Sequence, residues 1–132
     1  MSSGFMLMSV EEPGKYTPEV NAVRTEELRA HLTANGKPFY ELKGSCPVFA
    51  VPCFPFSYLA MQCLRTAYRY GQKTMPYVDY DGRVWMLEPT LRGESVRIGG
   101  PAGMWTQTVR PELYEFALQD QAGDWFAITP YG

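Results

Sequence analysis

Two helical segments, each bounded by a capping residue and a glycine, set the order in which the first part of the chain can fold. The first segment begins at Thr17, with proline at the next position, and ends at Gly36. The second begins at Ser57 and ends at Gly71. Threonine and serine cap helix N-termini through their side-chain oxygen, and glycine adopts the left-handed conformation that ends many helices. We therefore predict a helix over each segment.

Short apolar runs bounded by proline, glycine and aspartate surround these helices and are typical of strands. They occupy residues 4–10, 37–44, 47–54, 74–80 and 83–89. The last two are separated by Asp81 and Gly82, which favour a hairpin turn. The resulting order, β-α-β-β-α-β with one further hairpin strand, predicts an α+β fold of the ferredoxin-like type. In that fold two helices lie on one face of an antiparallel sheet.

The remaining sequence differs in composition. Residues 90–111 are rich in glycine and proline, as in "LRGESVRIGGPAG", and we expect a long loop there. Residues 112–132 alternate apolar and polar positions around "QAGD", which predicts a C-terminal β-hairpin. The chain is therefore expected to form a single domain over residues 1–132, with an α+β core at 1–89 and the hairpin as an extension.

Composition restricts the functional classes. The formal charge of −2 and the pI of about 5.4 lack the basic excess on which nucleic-acid binders depend, so nucleic acid is not an expected partner. The three cysteines and the one histidine, His31, lack zinc-ligand spacing, and we predict no metal and no cofactor. The start "MSSGFMLMSVEEP" resembles neither a signal peptide nor a membrane span, which indicates a cytoplasmic protein without a membrane partner.

Eight residues are candidates for binding a ligand or partner, each with a structural alternative that remains open. They are Asn21, Arg24, Tyr70, Gln72, Tyr77, Trp85, Arg92 and Arg97. Asn21 and Arg24 lie one helical turn apart and can bind an anion or an amide, or form an exposed surface pair. Gln72, directly after the glycine that ends the helix, can select a ligand or satisfy backbone carbonyls.

The other candidates are aromatic or lie in the glycine-rich segment. Tyr70, Tyr77 and Trp85 can stack against a ligand, although neighbouring tyrosines of the 74–80 strand point to opposite faces of the sheet. Arg92 and Arg97 flank glycines that can cradle a phosphate, but the strand and helix of a phosphate-binding loop are missing from the pattern. A mobile loop that contacts a partner protein is the alternative.

The pattern N-x-x-R-x-x-x-L-x-x-x-L-x-x-x-G from Asn21 to Gly36, followed by "YGQ" and "VDYDG", resembles a family of small bacterial and bacteriophage proteins that share a domain of unknown function. The resemblance covers about residues 20–88. It departs at the Ser45-Cys46-Pro47 turn and at Lys73, where relatives tend to carry carboxylates. The resemblance implies no chemistry, but it implies a phage or mobile-element source.

These observations predict a non-enzymatic, bacteriophage-type accessory protein that binds a host protein in the host cytoplasm, with inhibition of an antiviral defence system as the suggested role. Exposed tyrosine and tryptophan suit such an interface. The alternative is a protein that binds or sequesters a small nucleotide signal through Arg24, Tyr70, Gln72 and residues 92–103. A homodimer through a sheet edge or the C-terminal hairpin is a further prediction.

Overall fold

A computed structural model describes residues 4–130 of the chain, which form two α-helices, nine strands and one short 3-10 helix. The helices are α1 (Pro18–Ala34) and α2 (Tyr58–Arg69), and the 3-10 helix is Pro111–Leu113. The strands are β1 (Phe5–Met8), β2 (Tyr40–Leu42), β3 (Val48–Pro52), β4 (Met75–Val78), β5 (Arg83–Glu88), β6 (Val96–Arg97), β7 (Gly103–Thr108), β8 (Ala117–Gln119) and β9 (Trp125–Thr129). Residues 1–3 and 131–132, which the single-domain prediction includes, lie outside the described part.

The helices begin where the capping residues predict. The Thr17 side chain accepts a hydrogen bond from the Val20 N–H at 3.2 Å, and the Ser57 side chain accepts one from the Ala60 N–H at 3.1 Å. Each bond satisfies one of the amide donors that the first turn of a helix leaves without a partner. Both helix starts are thus confirmed.

All strand pairs of the sheet are antiparallel, and their order is β2-β3-β1-β4-β5-β7-β9-β8, with β6 added beside β5. The two ends of this order meet. Lys43, directly after β2, and Gln119, at the end of β8, exchange backbone N–H···O bonds of 2.9 and 2.7 Å. The sheet is therefore a nearly closed barrel. We call the line along which β2 and β8 approach each other the seam.

The predicted ferredoxin-like α+β fold is wrong. The strands continue from β4 through β5, β7, β9 and β8 back to β2, which makes a mostly sheet, barrel-like structure with only two α-helices in residues 4–130. The prediction stopped the sheet at the end of the 83–89 strand and treated everything beyond it as loop and extension. A twisted sheet of this many strands curls, and closure removes the unpaired edges that an open sheet would leave.

The segment 90–111, expected to be a loop, contains β6 and β7. Its glycines concealed the alternation of "MWTQT", and one of them is a requirement of the strand rather than a sign of a loop. A Cβ placed on Gly103 would lie 2.3 Å from the backbone oxygen of Thr129, on the neighbouring strand β9. Only glycine allows β7 to enter the barrel at this distance.

The strand alternation divides the buried side chains between two cores. Met6 and Met8 point outward from β1 and pack with Leu28 of α1 and Leu64 of α2, so both helices cover the outer surface of the barrel. Leu7 points inward. It belongs to the barrel interior, which also contains Leu42, Val48, Ala50, Val78, Val84 and Leu118. The interior core fills the middle of the barrel and leaves its end beside the seam open.

Candidate functional site

An open cavity of about 410 Å³ lies beside the seam, and we call it the seam cavity. Its walls are mainly apolar and include four aromatic rings from different strands. The apolar residues that line it are Phe5, Tyr40, Leu42, Ala50, Pro52, Trp105, Ala122 and Phe126. Its polar boundary consists of Glu41, Asp120 and Gln121. The cavity is thus an apolar site whose edge carries carboxylate and amide groups.

The cavity exists because the seam opens directly after its one bonded pair. With Lys43 opposite Gln119, antiparallel pairing would next place Glu41 opposite Gln121. The chain instead turns at Asp120, whose Oδ1 accepts hydrogen bonds from the N–H groups of Ala122 and Asp124 at 3.0 and 2.9 Å. This Asx turn directs the chain into β9 and away from β2. The two sides of the seam therefore separate, and the cavity fills the space between them.

The aromatic wall is a stack of three rings. Trp105 and Phe126 lie parallel, with centroids 5.7 Å apart and an interplanar angle of 2°. Phe5 meets Trp105 edge to face, also at 5.7 Å. Aromatic pairs in these two geometries are mutually attractive beyond the area that they bury. The wall is therefore a preformed apolar surface at the mouth of the barrel, which is a common location of ligand sites in barrels.

The two carboxylates at the edge of the cavity, those of Glu41 and Asp120, differ in their partners. The Glu41 carboxylate forms an ion pair with Arg29 of α1 at 2.7 Å, and its hydrogen bonds, with those of Glu26, raise the pKa of the Arg29 guanidinium. Asp120 uses Oδ1 in its own turn, while Oδ2 has no hydrogen-bond or ion-pair partner within residues 4–130. The carboxylate of Asp120 is consequently the charge at this edge that can attract a cationic group.

Three of the predicted binding residues come together, but at α1, away from the seam cavity. The Asn21 side chain accepts a hydrogen bond from the Glu12 N–H at 3.0 Å, and Arg24 donates to the carbonyls of Val10, at 2.8 Å, and Tyr70. The Arg24 guanidinium also lies 5.1 Å from the centre of the Tyr70 ring. These contacts hold the segment after β1 and the end of α2 against α1.

Tyr70 and Gln72 continue this arrangement. The Tyr70 hydroxyl donates to Glu27 at 3.0 Å, and burial is the main cause that raises the pKa of this phenol. Gln72 accepts a bond from the Ser9 N–H at 3.1 Å and donates to the carbonyls of Leu7, at 3.2 Å, and Thr74, at 2.9 Å. Each polar atom of the Gln72 amide is thus engaged at the end of β1.

The remaining candidates are spread over the molecule. Tyr77 is buried and donates to the Cys53 carbonyl at 3.0 Å, and burial raises the pKa of its phenol to about 12. The Arg97 guanidinium lies 4.0 Å from the centre of the Trp85 ring, on the outside of β5. Arg92 lies exposed before β6. The eight residues do not form one site, none of them lines the seam cavity, and their binding roles stay predictions.

Cysteine and histidine do not assemble a reactive cluster. Burial raises the pKa of the Cys53 thiol to about 11 and that of Cys63 to about 12, while His31 contacts the Thr66 hydroxyl at 3.4 Å. Within residues 4–130, no group of three or more histidine, cysteine, aspartate or glutamate side chains could hold a metal ion. In the same range, no helix is long and apolar enough to cross a membrane.

Comparison with known proteins leaves the family open. No protein-family model matches the chain, and no similar sequence is found among functionally described proteins. The resemblance to small bacterial and bacteriophage proteins therefore stays a prediction.

Sequence reasoning missed the residues that form the aromatic wall. The alternation of "GMWTQT" and "WFAIT" places Trp105 on one face of its strand and Phe126 and Ile128 together on one face of theirs. This pattern was a usable signal once both segments were taken as strands of one sheet. Their meeting with Phe5 depends on closure of the barrel, which no local pattern indicates.

Proposed function

We propose that this chain is a binding protein and that the seam cavity receives a large apolar side chain of a partner protein. The observation that carries the proposal is the open stack of Phe5, Trp105 and Phe126 beside a cavity of about 410 Å³. Buried apolar area is the main source of binding energy, and aromatic residues in pockets are the usual energetic centres of protein interfaces. A cavity of this kind suits one anchoring side chain surrounded by polar contacts.

A second group of exposed aromatics begins at the border of the cavity and supports a protein partner. β3 ends at Pro52, which lines the cavity, and the chain continues through Phe54, Phe56 and Tyr58, whose exposed fractions are 55%, 72% and 68%. Phe56 has a positive φ of 62°, a conformation that costs energy for a bulky residue. Exposed aromatic side chains of this size commonly contact other proteins.

The identity of the partner rests on the resemblance alone. A phage-type accessory protein would bind a host protein in the host cytoplasm, with a component of an antiviral defence system as the suggested target. The proposal that the protein is not an enzyme also rests on this resemblance. The cavity supplies the means of binding in this proposal, and the resemblance supplies the class of partner.

A small apolar molecule is the second candidate for the cavity. Its volume of about 410 Å³ lies within the roughly 300–1,000 Å³ that is typical of small-molecule sites. The alternative that the chain binds a nucleotide depends on Arg24, Tyr70 and Gln72. The polar side-chain groups of these residues are already engaged in contacts within the fold. The apolar lining of the cavity and the internal contacts of these three residues thus favour an apolar ligand over a nucleotide.

The test uses N-phenyl-1-naphthylamine, a neutral aromatic probe that fluoresces in apolar surroundings, titrated into the full chain. Ala122 is exposed and lines the cavity, so Ala122→Trp should block the entrance without altering the core. Ala102→Trp is the matched control, because Ala102 is exposed in another loop that does not line the cavity. We expect saturable binding to the wild type and to Ala102→Trp, and affinity at least about tenfold weaker in Ala122→Trp. Equal affinity in the three proteins would overturn the proposal.

A further inference from the structure

The seam leaves part of the β2 edge without a neighbouring strand. The backbone N–H and C=O of Lys43 both bond to Gln119. Alternate residues of a strand direct these groups to the same side, so the N–H and C=O of Glu41 also point into the seam. No backbone hydrogen bond within residues 4–130 joins Glu41 to the turn at 120–124. The gap therefore presents one donor and one acceptor that a strand beside β2 would satisfy.

The same gap contains the mouth of the seam cavity. The side chains of Tyr40 and Leu42, on either side of Glu41, both line the cavity. Glu41 also borders the cavity, but its carboxylate extends to Arg29 of α1 on the outer face of the sheet. An added strand that pairs with Glu41 would alternate in the same manner. Its side chains beside Tyr40 and Leu42 would thus face the aromatic wall.

We propose that the partner binds as an extended segment that adds a strand to β2 at the seam. One large apolar side chain of the segment enters the seam cavity, while its backbone pairs with Glu41. This inference rests on the proposed function, because it specifies how the partner presents the apolar group. Strand addition obtains affinity from backbone hydrogen bonds and specificity from pockets that receive alternate side chains, and the seam supplies both components.

The charges beside the gap restrict the sequence of the segment. The Oδ2 atom of Asp120 has no partner within residues 4–130, and Asp124 lies exposed four residues further on. Glu41, by contrast, is paired with Arg29. A lysine or arginine near the apolar residue would pair with the Asp120 carboxylate. The partner is therefore an extended peptide with a large apolar residue flanked by basic ones.

The test begins with a random seven-residue peptide library selected on the full chain, with Ala122→Trp used to remove peptides that bind elsewhere. The most enriched peptide is synthesised with a methyl group on each backbone nitrogen in turn. We expect a central tryptophan, phenylalanine or leucine with flanking lysine or arginine. N-methylation should weaken binding at least about tenfold at the residue opposite Glu41, next to the apolar residue, and little at the apolar residue itself, whose N–H faces away from β2.

The results separate this inference from the proposed function. Binding of N-phenyl-1-naphthylamine without any selected peptide would overturn strand addition, and so would an N-methyl effect that is no larger at the neighbours of the apolar residue than at that residue itself. Neither result would contradict the apolar cavity. Failure of both the probe and the peptides would overturn both proposals. Self-association of the wild type that Ala122→Trp abolishes, measured by light scattering, would show a second copy of the chain in the gap and would also overturn this inference.

Discussion

Lys43 and Gln119 exchange two backbone hydrogen bonds, of 2.9 and 2.7 Å, and thereby join the two ends of the sheet. The pair closes the barrel at one point and leaves the seam open beyond it. The fold and the proposed site therefore have a common origin, because the cavity lies where pairing between β2 and β8 stops.

Gly103→Ala tests the path by which β7 enters the barrel. The added Cβ would lie 2.3 Å from the Thr129 backbone oxygen, which cannot move aside without disturbing the pairing of β7 with β9. We expect the free energy of unfolding, measured with urea, to fall by about 1–3 kcal/mol. Gly100→Ala is the control, because a Cβ on Gly100 meets no atom within 4 Å. Equal stability of the two variants would contradict the described register.

Gln72→Glu tests whether Gln72 is structural or binds a ligand. The Gln72 amide donates to the carbonyls of Leu7 and Thr74, and a carboxylate cannot donate to either. We expect a loss of about 1–3 kcal/mol in unfolding free energy and unchanged affinity for N-phenyl-1-naphthylamine. Gln107→Glu, at an exposed position, should change stability little. Stable Gln72→Glu protein with altered binding would assign Gln72 to the site.

The parts of the fold that depend on neighbouring residues could be predicted from the sequence. The caps at Thr17 and Ser57 act on amides three residues away, and each leaves a recognisable residue pattern. Closure could not be predicted in this way. The bonds between Lys43 and Gln119 are made by backbone atoms of distant segments, and any residue other than proline can supply them.

The same reasoning explains why the candidate site was missed. The sequence favours Gln72 because it follows a helix end and Tyr70 because its ring can stack on a ligand, whereas the structure shows their polar groups bonded within the fold. The seam cavity combines Phe5, Trp105 and Phe126 from three distant strands. Each ring alone resembles an ordinary core residue, so only the closed topology reveals the wall that they form.

The Tyr77 phenol should make the free energy of unfolding decrease at alkaline pH. Burial raises its pKa to about 12 in the folded protein, above the value of roughly 10 that is expected when the chain is unfolded. The stabilisation that results from this raised pKa is complete below pH 10. It is lost as the pH rises towards 12, because the phenol of the unfolded chain releases its proton at a lower pH than that of the folded protein. From pH 8 to pH 11, wild type should lose about 1 kcal/mol more unfolding free energy than Tyr77→Phe, which cannot ionise.

Urea unfolding of both proteins at the two pH values measures this difference. The raised thiol pKa values of Cys53 and Cys63 act in the same direction and are common to both proteins. They therefore cancel in the comparison, apart from the repulsion between the ionised Cys53 thiol and the ionised Tyr77 phenol. An equal loss in wild type and Tyr77→Phe would show that the buried phenol does not cause the pH dependence.

The indole N–H resonance of Trp105 provides the most direct measurement of the central claim, that the seam cavity receives an apolar group. It is followed by nitrogen–proton NMR while N-phenyl-1-naphthylamine is added. Trp105 stacks on Phe126 in the cavity wall, whereas Trp85 lies on another face and donates to Asp79. The proposal predicts a saturable shift of the Trp105 resonance, an unchanged Trp85 resonance, and no shift in Ala122→Trp. Saturable binding that shifts Trp85 and leaves Trp105 unchanged would contradict it.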